Sequence, residues 1–123
     1  MATAREILIR AYRKAQVIAR NQAPEDDLLA SGLDTFNDML EAWRDNGIDM
    51  GLATLALSTE CAIAPGDMRA VIYNLAVELA NEEQVAIPPA TAEIAASSLS
   101  ALAGRFIGNH RPRIDRALRF RNR

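Results

Sequence analysis

The chain is poor in the residues that usually carry chemistry: its 123 positions hold one cysteine, Cys61, one histidine, His110, and 5% aromatics. A lone cysteine excludes an internal disulfide and suits folding in a reducing compartment. Glu60 precedes it and no base lies nearby in sequence to stabilise a thiolate, so Cys61 reads as a small buried hydrophobe rather than a nucleophile. With a single histidine, neither a histidine metal cluster nor a histidine dyad can be assembled, and His110 reads as an exposed residue bordering the C-terminal segment. There is no glycine-rich phosphate loop, no G-x-S-x-G, no H-E-x-x-H and no EF-hand glycine pattern. An enzyme is not expected, and neither is a cofactor or a metal. Long apolar runs are missing too. MATAREILIR is too short and too charged for a signal peptide, and the longest uncharged run, Ile94 to Gly104, is far below the ~20 apolar residues that span a bilayer. The expectation is a soluble intracellular chain with no membrane partner.

What is present is helix-forming. Half the residues are apolar although aromatics are few, so the core must come from Ala, Leu, Ile and Val, a composition that favours helices over a β-sandwich. At this length one domain is expected. Thr3 and Glu6 have the spacing of a capping box, and Ile7, Ala11, Ala15 and Ile18 recur on one face with Leu8 beside them, which predicts a first helix over 4–20. Pro24 and the acids Glu25, Asp26 and Asp27 open a second helix over 25–45. Its stripe of Leu29, Leu33, Phe36, Leu40 and Trp43 is the clearest periodicity in the chain, and Gly47 supplies a left-handed stop. Gly32, inside that stripe, points to close packing.

Residues 48–64 read as an extended connector, with Leu52 to Leu57 and Cys61 to Ile63 able to form one small β-pair. Asp67 is the expected N-cap of a third helix over 67–81, with Met68, Val71, Ile72, Leu75 and Leu79 inward. Pro88-Pro89 opens a fourth over 89–107, whose Ile94, Ala95, Leu99, Leu102 and Phe106 lie among small residues that permit close helix contact. Leu29, Leu33, Phe36, Leu40, Val71, Leu75 and Leu99 are the expected core. The fold class is therefore mainly α: a four-helix domain over 1–110, an extended or short β connector between helices 2 and 3, and a basic tail over 111–123.

Charge is unevenly spread. RPRIDRALRFRNR, residues 111–123, holds six arginines against one acid, Asp115, a net of +5, whereas residues 1–110 stand at −7. Within the body, helix 1 is basic through Arg5, Arg10, Arg13, Lys14 and Arg20. The polar face of helix 2 is acidic through Asp34, Asp38, Glu41 and Asp45. Opposed patches of this kind serve a heterologous contact between subunits or a pairing of neighbouring helices within one subunit. Arg10, Arg13, Lys14, Asp34, Asp38 and Glu41 are the candidate inter-subunit residues.

The segment LDTFNDMLEAWRDNGIDMG, Leu33 to Gly51, followed by MRAVIYNLAVELA, Met68 to Ala80, resembles the head-to-tail connector, or adaptor, proteins of tailed bacteriophages. It is most similar to the packaged-DNA-stabilisation, or tail accessory, branch found in short-tailed phages. In that family a Trp near the end of the second helix precedes a short polar turn and a Gly, here Trp43 and Gly47, and a later helix bears an NLA core, here Asn74-Leu75-Ala76. The likeness covers residues 4–108.

The resemblance implies a structural virion protein at the neck, the head–tail junction, assembled in the host cytoplasm. It implies a homo-oligomeric ring, usually of twelve copies, beneath the portal protein. Packaged DNA would pass through the channel, and a downstream tail or nozzle protein would attach below. It further implies that the C-terminal segment reaches the portal, with Arg111, Arg113, Ile114, Arg116, Leu118, Arg119, Phe120, Arg121 and Arg123 as the portal-binding residues. The physical reading of the tail agrees: arginines make charge-assisted contacts with carboxylates, and Ile114, Leu118 and Phe120 provide apolar anchors. Ordering such a segment costs entropy, which avidity around a ring offsets. The alternative is a small helical nucleic-acid-binding regulatory protein using the same arginines as a phosphate-binding arm. A body at −7 repels that polyanion.

Overall fold

The computed structural model describes residues 1–108. Among them the chain forms four helices and two short strands: β1 Ala2–Thr3, α1 Ala4–Lys14, α2 Asp26–Asp45, β2 Glu60–Cys61, α3 Pro65–Glu82 and α4 Pro89–Gly108. The mainly α class read from composition is the architecture observed. Helix α3 is the central element. It is packed by α1 and α2 on one side and by α4 along its length, and α1 and α2 also pack on each other.

The first helix starts where its backbone donors find partners. The Thr3 hydroxyl accepts from the Glu6 amide at 3.2 Å, as the capping box requires, but Glu6 does not reach back to the Thr3 amide and its carboxylate accepts from the Thr3 hydroxyl instead. The connector completes the cap: the amides of Ala4 and Arg5 donate to the carbonyls of Thr59 and Leu57 at 2.9 and 3.0 Å. Two donors that every helix N-terminus leaves orphaned are thereby satisfied from a distant segment. Asp67 is not the N-cap of α3. That position belongs to Ala64, with Pro65 at the first helical position, where the missing proline N–H costs nothing. The Asp67 carboxylate turns instead to Arg105 of α4.

Helices α1, α2 and α3 end alike. Gln16 (φ 61°), Gly47 (φ 91°) and Gln84 (φ 56°) take the left-handed conformation one residue past the caps Ala15, Asn46 and Glu83. In each, two amides fold back on the last turn: Gln16 on Arg13 and Val17 on Tyr12, Gly47 on Arg44 and Ile48 on Trp43, Gln84 on Asn81 and Val85 on Ala80. This is the Schellman arrangement, and the following Val17, Ile48 and Val85 supply its apolar residue. The first helix therefore stops at Lys14 and not near residue 20. Ile18, expected on its face, is buried from the turn that follows.

The core gathers Ile7, Leu8, Ala11 and Tyr12 of α1, Leu29, Phe36, Met39, Leu40 and Trp43 of α2, and Val71, Ile72, Leu75 and Leu79 of α3, with Leu102 closing it from α4. Leu33 and Leu99, expected inside, are only half-buried. Leu33 lies on the flank of the α2 stripe, and Leu99 sits on α4, which packs mainly on α3. At the α1–α2 crossing the absence of a side chain at Gly32 is required. A Cβ there would collide with the Tyr12 hydroxyl and lie 3.1 Å from a Leu8 methyl. The Tyr12 hydroxyl, fully enclosed, donates to the Leu28 carbonyl at 2.7 Å.

The small β-pair exists, but not within the connector. β1 pairs antiparallel with β2, Ala2 opposite Cys61 and Thr3 opposite Glu60. The connector is also clamped to α2. Asn37 donates to the Leu55 carbonyl and accepts from the Leu55 amide at 3.1 and 2.8 Å, the pairing that a neighbouring strand would make. Arg44 donates to the Leu52 carbonyl at 2.7 Å. On the other side, α3 and α4 run antiparallel. Asn74 donates to the carbonyls of Ala70 and, across the interface, Ala95 at 3.0 Å, and the Asp67–Arg105 ion pair ties the far end.

Candidate functional site

Helix α1 shows its second face to solvent along α3. Its Arg10, Arg13 and Lys14 project beside Arg20 of the following turn, and with Ile72 of α3 they line a cavity of about 350 Å³. A second cavity of about 560 Å³ shares Arg10, Lys14 and Ile72 and continues over Ile63, Pro65, Met68, Arg69 and Tyr73. The two form one groove in which, among the described residues, five cations surround an apolar floor and no carboxylate lines either part.

The Schellman turn at Gln16 helps build it. By ending α1 at Lys14 it brings Arg20 back beside Arg13, where a continued helix would carry it onward. Arg13 and Lys14 in the last turn also suit the negative end of the helix dipole. Tyr73 organises the opposite wall. Lys14 Nζ stands 5.0 Å from its ring centroid and the Arg69 guanidinium 5.4 Å, both within cation–π range. The ring thus holds two like charges close together, each available to an incoming anion.

The acids of α2 form the complementary feature. Asp34, Asp38, Glu41 and Asp45 are all exposed, and their 4-3-4 spacing keeps them on one face over about 16 Å of helix. Arg44, the only base of α2, does not neutralise them: it is engaged by Leu52 and lies 3.8 Å from Asp49. Among the described residues the ion pairs are Arg44–Asp49 and Arg105–Asp67. The basic and acidic candidates from the sequence therefore do not pair with one another inside the subunit. The structure brings Arg10, Arg13 and Lys14 together with one another, and Asp34, Asp38 and Glu41 with one another, as two separate surfaces.

The portal-binding candidates Arg111, Arg113, Ile114, Arg116, Leu118, Arg119, Phe120, Arg121 and Arg123 lie outside the described residues, as does His110. Sequence reasoning did not single out Arg69 and Tyr73 for this surface. A signal was available, since Arg69, Ile72 and Tyr73 fall on one face of α3 at helical spacing and combine a base, an aliphatic and an aromatic residue.

Cys61 is buried, and burial pushes its thiol pKa up, away from the reactive thiolate. No group of three or more His, Cys, Asp or Glu side chains among the described residues is arranged to hold a metal ion. None of the described helices is long and apolar enough to cross a membrane. No protein-family model matches the chain, and no curated protein is significantly similar to it in sequence.

Proposed function

We propose that the chain is a structural adaptor of a tailed-phage virion, sitting as a homo-oligomeric ring, twelve-fold by the resemblance, beneath the portal protein. There it extends the channel for packaged DNA, helps retain that DNA and offers a platform for the downstream tail or nozzle protein. The observation that carries this reading is the pair of resembling stretches, Leu33–Gly51 and Met68–Ala80. The first covers most of α2 with its Trp43–Gly47 stop, and the second covers most of α3. Within the second, Asn74 of the NLA core ties α3 to α4.

Two separate, oppositely charged surfaces on one small subunit supply further support. Ring assembly needs two different complementary patches on each copy, and self-pairing dimers need only one. The tail over 111–123 is assigned to the portal, where its arginines meet carboxylates and its Ile114, Leu118 and Phe120 enter apolar pockets.

The rival reading, a nucleic-acid-binding regulator, draws on the basic groove and the same tail. It must overcome a body carrying −7 over residues 1–110. The experiment that tests the choice is native mass measurement of the chain with and without a tailed-phage portal protein. The adaptor reading expects a monomeric or weakly associated free chain and a defined multi-copy complex with the portal. A chain that never joins the portal and binds duplex DNA tightly at physiological salt would overturn it.

A further inference from the structure

We infer that the basic groove between α1 and α3 is the receptor for the acidic face of α2 of a second copy of this chain, in a head-to-tail contact. The inference rests on the self-assembling part of the reading above and not on the identity of the larger partner. Its two halves are both present in the subunit. One is a groove lined by Arg10, Arg13, Lys14, Arg20 and Arg69, with no carboxylate among its described lining residues. The other is a helix face carrying Asp34, Asp38, Glu41 and Asp45, none of them ion-paired among the described residues.

Charge complementarity selects this occupant. The arginine-rich tail of the same chain is repelled by a groove of like sign. A nucleic acid would find the same cations, but its remaining phosphates would face a strongly acidic body. An acidic helix face matches both the sign and the elongated shape, and its backbone is already rigid, so little conformational entropy is lost on docking. Arg44 strengthens the match by turning toward the connector, which leaves the stripe uniformly negative. Tyr73 contributes by holding Lys14 and Arg69 near its ring before the partner arrives.

The groove and the stripe are different patches, so a copy can pass the contact on, its groove to one neighbour and its stripe to another. An open row of copies then keeps one groove free at one end and one stripe free at the other, and addition continues until a ring closes. The contact consists mainly of exposed charges, with a floor already half-covered, so it is weak and salt-sensitive between free copies. It tightens when copies are held side by side on a scaffold, because tethering raises their effective concentration.

The test uses two full-length variants in sedimentation velocity at low salt and millimolar protein. One carries Asp34→Lys, Asp38→Lys and Glu41→Lys. The other carries Arg10→Glu, Arg13→Glu and Lys14→Glu. All six positions are exposed, and circular dichroism checks that helicity is unchanged. The wild type should associate with rising concentration and dissociate at high salt. Each variant alone should associate at least about tenfold more weakly, since several pairs become repulsive together. An equimolar mixture should regain association, because each reversed surface now meets a complementary one on the other variant.

A mixture that stays monomeric, or single variants that associate like the wild type, would overturn the inference. So would a wild type that stays monomeric at low salt while a DNA duplex binds it and the groove variant abolishes that binding. Assembly through this contact by a chain that never joins a portal would defeat the adaptor reading and leave the contact standing.

Discussion

Helix α1 has two long faces, and they are built on opposite terms. Toward α2 it presents Leu8 and Tyr12, closed against Gly32 without room for one more carbon and sealed by a hydrogen bond to Leu28. Toward solvent along α3 it presents Arg10, Arg13 and Lys14, whose charges find no carboxylate among the described ion pairs. The first face is saturated: every group has its partner, and its contribution is stability. The second is unsaturated, and an unsatisfied, pre-arranged charged surface is what recognition requires. The difference teaches that the same eleven-residue helix can be read for fold on one side and for function on the other. Substitutions on the two sides should separate accordingly.

The largest effect should come from the saturated side's core. Leu40→Ala, in the stripe of α2, should cost about 2–5 kcal/mol by urea unfolding, whereas the same truncation at half-buried Leu99 should cost about 1–2 kcal/mol, since less apolar area is lost. Equal losses at the two sites would mean that Leu99, against α3, is as fully enclosed as the α2 stripe.

Next comes the Tyr12–Gly32 crossing. Gly32→Ala gains helix propensity but forces a methyl into the Tyr12 hydroxyl, and overpacking of this kind should prevail at about 1–3 kcal/mol. Tyr12→Phe alone should cost about 1 kcal/mol for the lost bond to Leu28. The two changes combined should cost clearly less than their sum, because removing the hydroxyl vacates the space the new methyl needs. Additive losses would mean the glycine is there for another reason.

The same tyrosine carries a pH signature. Burial, with Glu83 and then Glu82 nearby, pushes its pKa up to about 12 from the ordinary 10.0. The unfolded chain therefore releases this proton before the folded one does. The contribution to stability is complete below pH 10 and is lost as pH rises from about 10 through about 12. Tyr12→Phe should flatten that alkaline decline in a series of unfolding curves; an unchanged slope would assign the decline to other groups.

The smallest effects belong to exposed positions. Gln16→Gly and Gln84→Gly should each stabilise the fold by about 0.5–1 kcal/mol, since glycine takes the left-handed conformation without the Cβ penalty. Arg13→Gln should cost only about 0.5 kcal/mol in unfolding free energy, the lost interaction with the helix dipole, while weakening self-association. A large stability loss there would show that the charged face belongs to the fold after all.

These contrasts also mark what was legible in the sequence. The α2 stripe, its Gly47 stop and the close-packing role of Gly32 were readable because periodicity and glycine have direct local causes. The end of α1 was not: Gln16 and Gln84 occupy a position that glycine usually announces, so the apolar pattern ran on through Ile18 with nothing to interrupt it. Asp67 carries the residue type of a cap, but Pro65 had already fixed the first turn, and the carboxylate was free to reach Arg105. The partner of β2 was out of local reach, because strand pairing between Thr3 and Glu60 leaves no mark in either segment. Of the candidate site, the two charged faces could be read from spacing. Their separation onto different surfaces, and the addition of Arg69 and Tyr73 from α3, required the tertiary fold.

If this small helical body works by attachment, as proposed, its arginine-rich tail is the anchor on the portal. The most direct measurement is portal affinity, at one fixed salt concentration, for three chains: the wild type, a chain ending at His110, and a full-length chain with Ile114→Ser, Leu118→Ser and Phe120→Ser that keeps every arginine. A docking arm predicts that truncation abolishes attachment and that the serine variant loses much of its affinity, because buried apolar area worth about 25 cal/mol per Å² is gone. Attraction by charge number alone would leave the serine variant close to wild type. Full portal binding by the truncated chain would contradict the account.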